Sequence, residues 1–209
     1  MRMKNRVASG SHQPGPSERL GRYVSAMPDV VTSAMFLSVW IAPFALGPKA
    51  VGDAMLVMLV EFVLIHGCGM FGAVVTDTDM KRRQRLMTLV ALALAYLVFI
   101  FLFSVLFDAW WPYLVFSWLV LGKVAAVFRP GVTQEQAHRQ QTLAWVESAV
   151  AYLGLVFLTL FVPLPRLGMT LDVQPQFGLD GSGVWIDEPH RVIAFGVLYF
   201  GVLAWSKAR

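Results

Sequence analysis

The feature that most constrains this chain is the length of its uninterrupted apolar runs. Residues 87–107 and 150–162 contain no charged side chain. A soluble domain of this size alternates apolar and polar positions, because it must build a surface as well as a core. Apolar runs of about 18 residues or more belong instead in a bilayer. Composition agrees. Hydrophobic residues make up 57% and charged residues 14% of the 209 positions, with mean hydropathy +0.62, against about 45–50% and about 25% in soluble domains. The expectation is an all-α membrane protein whose solvent is largely lipid.

Six candidate spans follow from the runs: about 30–47, 54–75, 86–107, 112–128, 143–163 and 190–206. A hydrocarbon core of about 30 Å takes about 20 helical residues, with a range of about 17–25. The fourth span is short. The sixth is the weakest, because His190 and Arg191 open it. Residues 1–27 are polar and basic, with scattered Gly and Pro, and read as a flexible N-terminal tail. A secretory signal is the lesser reading. The first apolar run begins near Val30 and spans about 18 residues, whereas signal apolar regions are about 7–15 and lie nearer the start. Ala45-Leu46-Gly47 is the cleavage-like segment that keeps this alternative open.

Charge sets the orientation. With the N-terminus inside, only Lys49, Arg166 and Arg191 of the 17 Lys and Arg residues fall outside. Short loops rich in Lys and Arg stay cytoplasmic. An even number of spans also keeps Lys207 and Arg209 inside. The predicted fold is thus a six-transmembrane-helix bundle, N-in/C-in. Trp110, Trp111 and Trp185 fall at outer borders and Trp145 and Trp205 near inner ones, where amphipathic rings collect. Trp40 and Trp118 lie deeper and read as packing residues.

The connections add detail. Asp108–Pro112 is short enough to force an antiparallel hairpin between spans three and four. Thr133 followed by Gln136 fits a capping box. The fifth helix would then run from near Gln134 to Val162 and extend into the cytoplasm. Residues 164–189 form the longest loop, expected outside, with the turn-former run Asp180-Gly181-Ser182-Gly183.

Ionisable groups inside a span cost roughly 2.5–3.5 kcal/mol at a helix centre, so each needs a reason. Glu61 and His66 form the candidate intramembrane polar site. Glu61 falls in the outer half of the second span and His66 near the middle. Five residues at about 100° each set them about 140° apart on one helix, so each seeks a partner elsewhere. The functional reading is a proton relay; the alternative is two hydrogen bonds between helices. Lys123 and Glu147 lie at matching depths and form a candidate structural ion pair, with snorkelling of Lys123 as the alternative. Glu188, His190 and Arg191 form a candidate outer-face cluster, much of it explained by capping of the sixth helix. Gly67-Cys68-Gly69-x-x-Gly72 reads as a smooth face for close helix approach, not a phosphate loop, since no strand precedes it. Lys81, Arg82, Arg83 and Arg85 read as an orientation signal that meets anionic lipid headgroups.

No serine elbow, His-Glu-x-x-His or nucleotide-binding loop occurs in the sequence, so no catalytic residue is assigned. One cysteine, Cys68, excludes an internal disulfide and any multi-cysteine centre, and no metal or other cofactor is expected. Nucleic acid is not an expected partner; lipid is, together with another membrane protein or a second copy. The favoured function is a non-enzymatic accessory or assembly protein, in a bacterial inner membrane. A proton-linked permease using Glu61 and His66 is the alternative, and a membrane enzyme with an outer-face site of Glu188, His190 and Glu61 is the second.

Overall fold

The computed structural model describes residues 16–77, 79–128 and 134–209, with the side chains of 16–19, 123, 125–128, 134–141 and 144 outside the description. The described residues form helices and no strand. They are α1 (Pro16–Ile41), α2 (Ala50–Thr76), α3 (Arg82–Leu106), α4 (Trp111–Phe128), α5 (Gln134–Phe161), the single turn α6 (Val184–Asp187) and α7 (Pro189–Ala208), with a 3-10 turn at Gln174–Phe177. Four are long and apolar enough to cross a membrane: α1 from Leu20, α2, α3 and α7. The apolar stretches of α4 and α5, Trp111–Gly122 and Trp145–Phe161, are shorter.

The first helix departs from the sequence expectation at both ends. It begins at Pro16, inside the stretch 1–27 expected as tail, and ends at Ile41, not Gly47. Residues 16–27 continue the helix toward the N-terminus, ahead of the apolar run. At the other end Pro43 cannot donate to the ladder, and the chain turns. The fifth helix starts at Gln134 and ends at Phe161, close to expectation. Its 28 residues reach about 42 Å at about 1.5 Å each, longer than the hydrocarbon core. The cap expected at Thr133 lies outside the described residues.

Packing centres on α7, the span expected to be weakest. α1 runs antiparallel along it. Phe36 lies on Gly196, where an added Cβ would come within 2.1 Å of the ring. Ser33 Oγ donates to the Val197 carbonyl at 2.9 Å, and Lys207 reaches Asp29 at 2.6 Å. Small residues let two helix backbones approach where lipid gives no hydrophobic drive for association. The main core gathers Phe36 and Val39 of α1, Met55 and Met58 of α2, Tyr152 of α5, and Ile193, Phe195 and Tyr199 of α7. A second core joins Val63 and Phe71 of α2 to Leu89 and Ile100 of α3 and Phe116 of α4. α2 therefore serves both cores, the main one through Met55, Met58 and Ile65 and the second through Val63 and Phe71.

The segment after α5 is folded onto the bundle. Met169 and Phe177 are buried in the main core. Trp40 Nε1 donates to the Pro165 carbonyl at 3.0 Å, and Gly168 N donates to the Trp40 carbonyl at 3.1 Å. Trp40 packs as expected. Trp118 does not: it is 81% exposed on α4, because α4 turns its other side to Phe71 and Ile100 through Phe116.

Candidate functional site

Glu61 lies near the middle of α2 and faces α7. Tyr199 Oη donates to Glu61 Oε1 at 2.8 Å. The phenol is fully buried and stacks edge-on with Tyr152 at 5.4 Å between ring centres. Tyr152 in turn donates to the Met58 carbonyl at 2.7 Å, and Ser148 hydrogen-bonds with Tyr199. The Asp29–Lys207 pair is within electrostatic reach of the Glu61 carboxyl. Three helices, α2, α5 and α7, are thus joined by hydroxyls and one carboxyl inside an apolar core. A buried polar group there costs free energy unless it is bonded. Each bond that satisfies one also fixes the rotation of its helix.

His66 turns to a different neighbour. Its Nδ1 lies 3.2 Å from the Phe62 carbonyl of its own helix, and its ring sits on the Phe62 ring at 4.2 Å. The roughly 140° offset read from the sequence explains the split: Glu61 addresses α7 and His66 addresses α5. The two do not form one site. His66 borders a groove of about 650 Å3 between α2 and α5, along with Cys68, Gly69, Ala73, Thr76 and Trp145. Glu61 does not line it. The groove floor is set by Trp145, whose Nε1 donates to the Ile65 carbonyl at 2.8 Å. The ring lies against Gly69, where a Cβ would come within 2.7 Å of it. One residue of the glycine-rich stretch thus seats an indole.

The outer cluster is a latch. Arg191 donates to the carbonyls of Thr159 and Leu160 at 2.8 and 2.9 Å, closing the C-terminal end of α5. Those carbonyls have no partner within their helix. Arg191 also bonds Glu188, and Arg166 lies 3.7 Å from the same carboxylate. The hydrogen bond from Arg191 holds the Glu188 carboxyl below its usual range, helped by the neighbouring positive charges. Arg166 continues to Gln174 at 3.0 Å, and Gln174 to the Asp187 carbonyl at 2.8 Å. His190 is buried at 3% exposure, and its Nδ1 has no partner among the described residues. Nine residues separate His190 from Tyr199, about 13 Å along α7 at about 1.5 Å each, so Glu61 at Tyr199 is well away from His190. The outer cluster and Glu61 do not converge on one substrate.

The side chain of Lys123 lies outside the described residues, and with it the Lys123–Glu147 pair; Glu147 itself is exposed on α5. Within the basic run, Arg85 is turned inward and donates to the carbonyls of Asp77 and Met80. Lys81, Arg82 and Arg83 are exposed.

The sequence reading missed Tyr152, Tyr199, Asp29 and Trp145 as site-forming residues. Asp29 carried a signal, a carboxylate one residue before the assumed span. The tyrosines carried none, since a phenol in an apolar run is common. No family model, curated protein or solved structure matches the chain.

Proposed function

We propose that the chain is a six-span membrane bundle with both ends inside, acting as a non-enzymatic accessory or assembly protein. One observation carries this reading: the central carboxyl, Glu61, is held by the Tyr199 phenol within an interhelical tie, apart from both His66 and the outer cluster. A proton relay or an acid–base pair needs groups that reach one another or a common substrate. Here Glu61, His66 and the outer cluster have separate contacts. Six crossings are supported by length, since α4 and α5, at 18 and 28 residues, reach about 27 and 42 Å. The charge bias supports the orientation.

The test is Glu61→Gln, whose amide oxygen still accepts from Tyr199. Melting in detergent and the complexes recovered by cross-linking in membranes are expected to match the wild type. A proton flux in proteoliposomes carried by the wild type and lost in folded Glu61→Gln would overturn the reading in favour of a permease. In a Cys68→Ser background, a cysteine placed in 164–189 is expected to label from outside and one in 79–83 is not. The reverse pattern would overturn the orientation.

A further inference from the structure

We propose that the groove between α2 and α5 seats an acyl chain of an anionic phospholipid, with the phosphate met by Lys81 and Arg83.

The groove has the size and lining for such an occupant. Its volume of about 650 Å3 falls within the range of about 300–1,000 Å3 typical of small-molecule sites. Its walls are Cys68, Gly69, Met70 and Ala73 on one side of α2, facing Trp145 and Thr142 of α5. Met70 and Ala73 are exposed, so this wall is not covered by another described helix. The indole is pinned by its bond to the Ile65 carbonyl, which gives the groove a fixed floor. At the deep end the lining stops at His66, whose ring lies tilted against Phe62.

Charge at the mouth selects the headgroup. The lining ends at Thr76 and Asp77, where α2 stops, and the chain reaches Lys81 four residues later. Arg85 holds this turn in place by donating to the Asp77 carbonyl, so the basic turn is fastened to the rim of the groove. The Asp77 carboxylate accepts from the backbone N–H groups of Asp79 and Met80 and keeps its charge, but residues 77–85 carry four basic side chains against two acidic ones. Thr76 is likewise engaged, donating to the Gly72 carbonyl. Lys81 and Arg83 are exposed four and six residues beyond Asp77, flanking the turn that Arg85 ties to the Asp77 carbonyl. Each basic residue near a membrane surface adds about 1 kcal/mol of attraction to anionic lipid. A zwitterionic headgroup gains little from them.

Native mass spectrometry of the full chain from detergent micelles tests this, with phosphatidylglycerol and phosphatidylcholine of matched acyl chains as the probes. The wild type is expected to retain phosphatidylglycerol at least about tenfold better than phosphatidylcholine. Ala73→Phe, which fills the groove, and Lys81→Glu/Arg83→Glu, which reverses the rim, are each expected to remove most of that binding. Leu94→Phe, on the exposed side of α3, is expected to leave it unchanged. Equal retention of the two lipids by the wild type would overturn the proposal. So would unchanged phosphatidylglycerol binding in a folded Ala73→Phe, since the lipid would then sit elsewhere on the basic turn. Should Ala73→Phe fail to fold, Met70→Trp on the same wall takes its place with the same two outcomes.

Discussion

α3 and α7 divide between them the two roles open to a helix in a membrane. α3 is the more apolar, yet only 17% of its most apolar window is buried; for α7 the share is 50%. α3 shows Leu94, Val98, Phe101, Leu102 and Val105 to the outside. α7 spends its glycines, hydroxyl and charges on neighbours: Gly196 on Phe36, Tyr199 on Glu61, Lys207 on Asp29, Arg191 on the end of α5. The difference teaches that apolarity in a membrane chain reports contact with lipid, while close approach and hydrogen bonding report contact with protein. Substitutions on the two helices should therefore have opposite consequences for the same change in size.

The largest effects are expected where backbone meets backbone or a buried ring. A Cβ at Gly168 would lie 2.0 Å from the Ile41 carbonyl oxygen, at the end of α1 beside α7. Backbone cannot step aside without moving the helix end, so Gly168→Ala should cost about 3 kcal/mol, the upper part of the overpacking range. Gly196→Ala meets a ring that can shift a little and should cost about 2 kcal/mol. Thermal or denaturant melts in micelles measure both. A wild-type melt for Gly196→Ala would mean that the α1–α7 seam is slack, and the comparison with α3 would lose its footing.

Arg191 comes next. Its guanidinium closes α5 and bonds Glu188 while only 17% exposed. Hydrogen bonds to charged groups contribute about 1.5–3 kcal/mol. Arg191→Gln keeps part of the length and loses the fork, with an expected loss of about 2 kcal/mol. Hydrogen exchange should speed up first at 155–162, the last turns of α5. Loss of stability without faster exchange there would show that the latch works through Glu188 alone.

The contrast also explains which parts of the molecule could be read from sequence. α2 and α3 were legible because long apolar runs with short polar breaks specify helices that face lipid. The fifth helix was legible from its long apolar run, which ends before Pro163 and Pro165. α7 was undervalued because hydropathy penalises His190 and Arg191, and Arg191 is one of the groups that bind it to the bundle. α1 was misplaced by weighing apolarity over punctuation: Pro43 follows its C-terminal end at Ile41. Of the candidate groups, Glu61 meets another helix through Tyr199. Its partner was not legible, since nothing local pairs residue 61 with residue 199.

A smaller effect belongs to Glu188. Its carboxyl is held below the ordinary value of 4.5 by Arg191. A carboxyl depressed in the folded state contributes stability above its unfolded value and loses it as pH falls through the folded one. The melting temperature should therefore drop as pH is lowered from about 5 to about 3, and drop less in Glu188→Gln. The effect is limited, because the side chain is 36% exposed and solvent screens the pair. Equal pH dependence in both proteins would assign the acid sensitivity to another carboxylate.

The smallest effect sharpens the comparison most. Leu94→Ala and Val98→Ala remove apolar volume from α3, as Gly196→Ala adds it to α7. In a soluble protein the side chains lost would leave either a cavity or a gain in solubility. Here the vacated space is refilled by lipid tails, which are as apolar as the leucine they replace. Neither transfer out of water nor a void contributes, so each change should stay within about 0.5 kcal/mol, like substitutions away from packed features elsewhere. Gly122→Ala on α4, where a Cβ would find nothing within 4 Å, should be equally mild or slightly stabilising through helix propensity. A loss of about 2 kcal/mol or more at Leu94 would mean that α3 is covered by protein in the assembled state. Its apolar face would then belong to an interface, and the accessory role proposed above would gain a location for its partner.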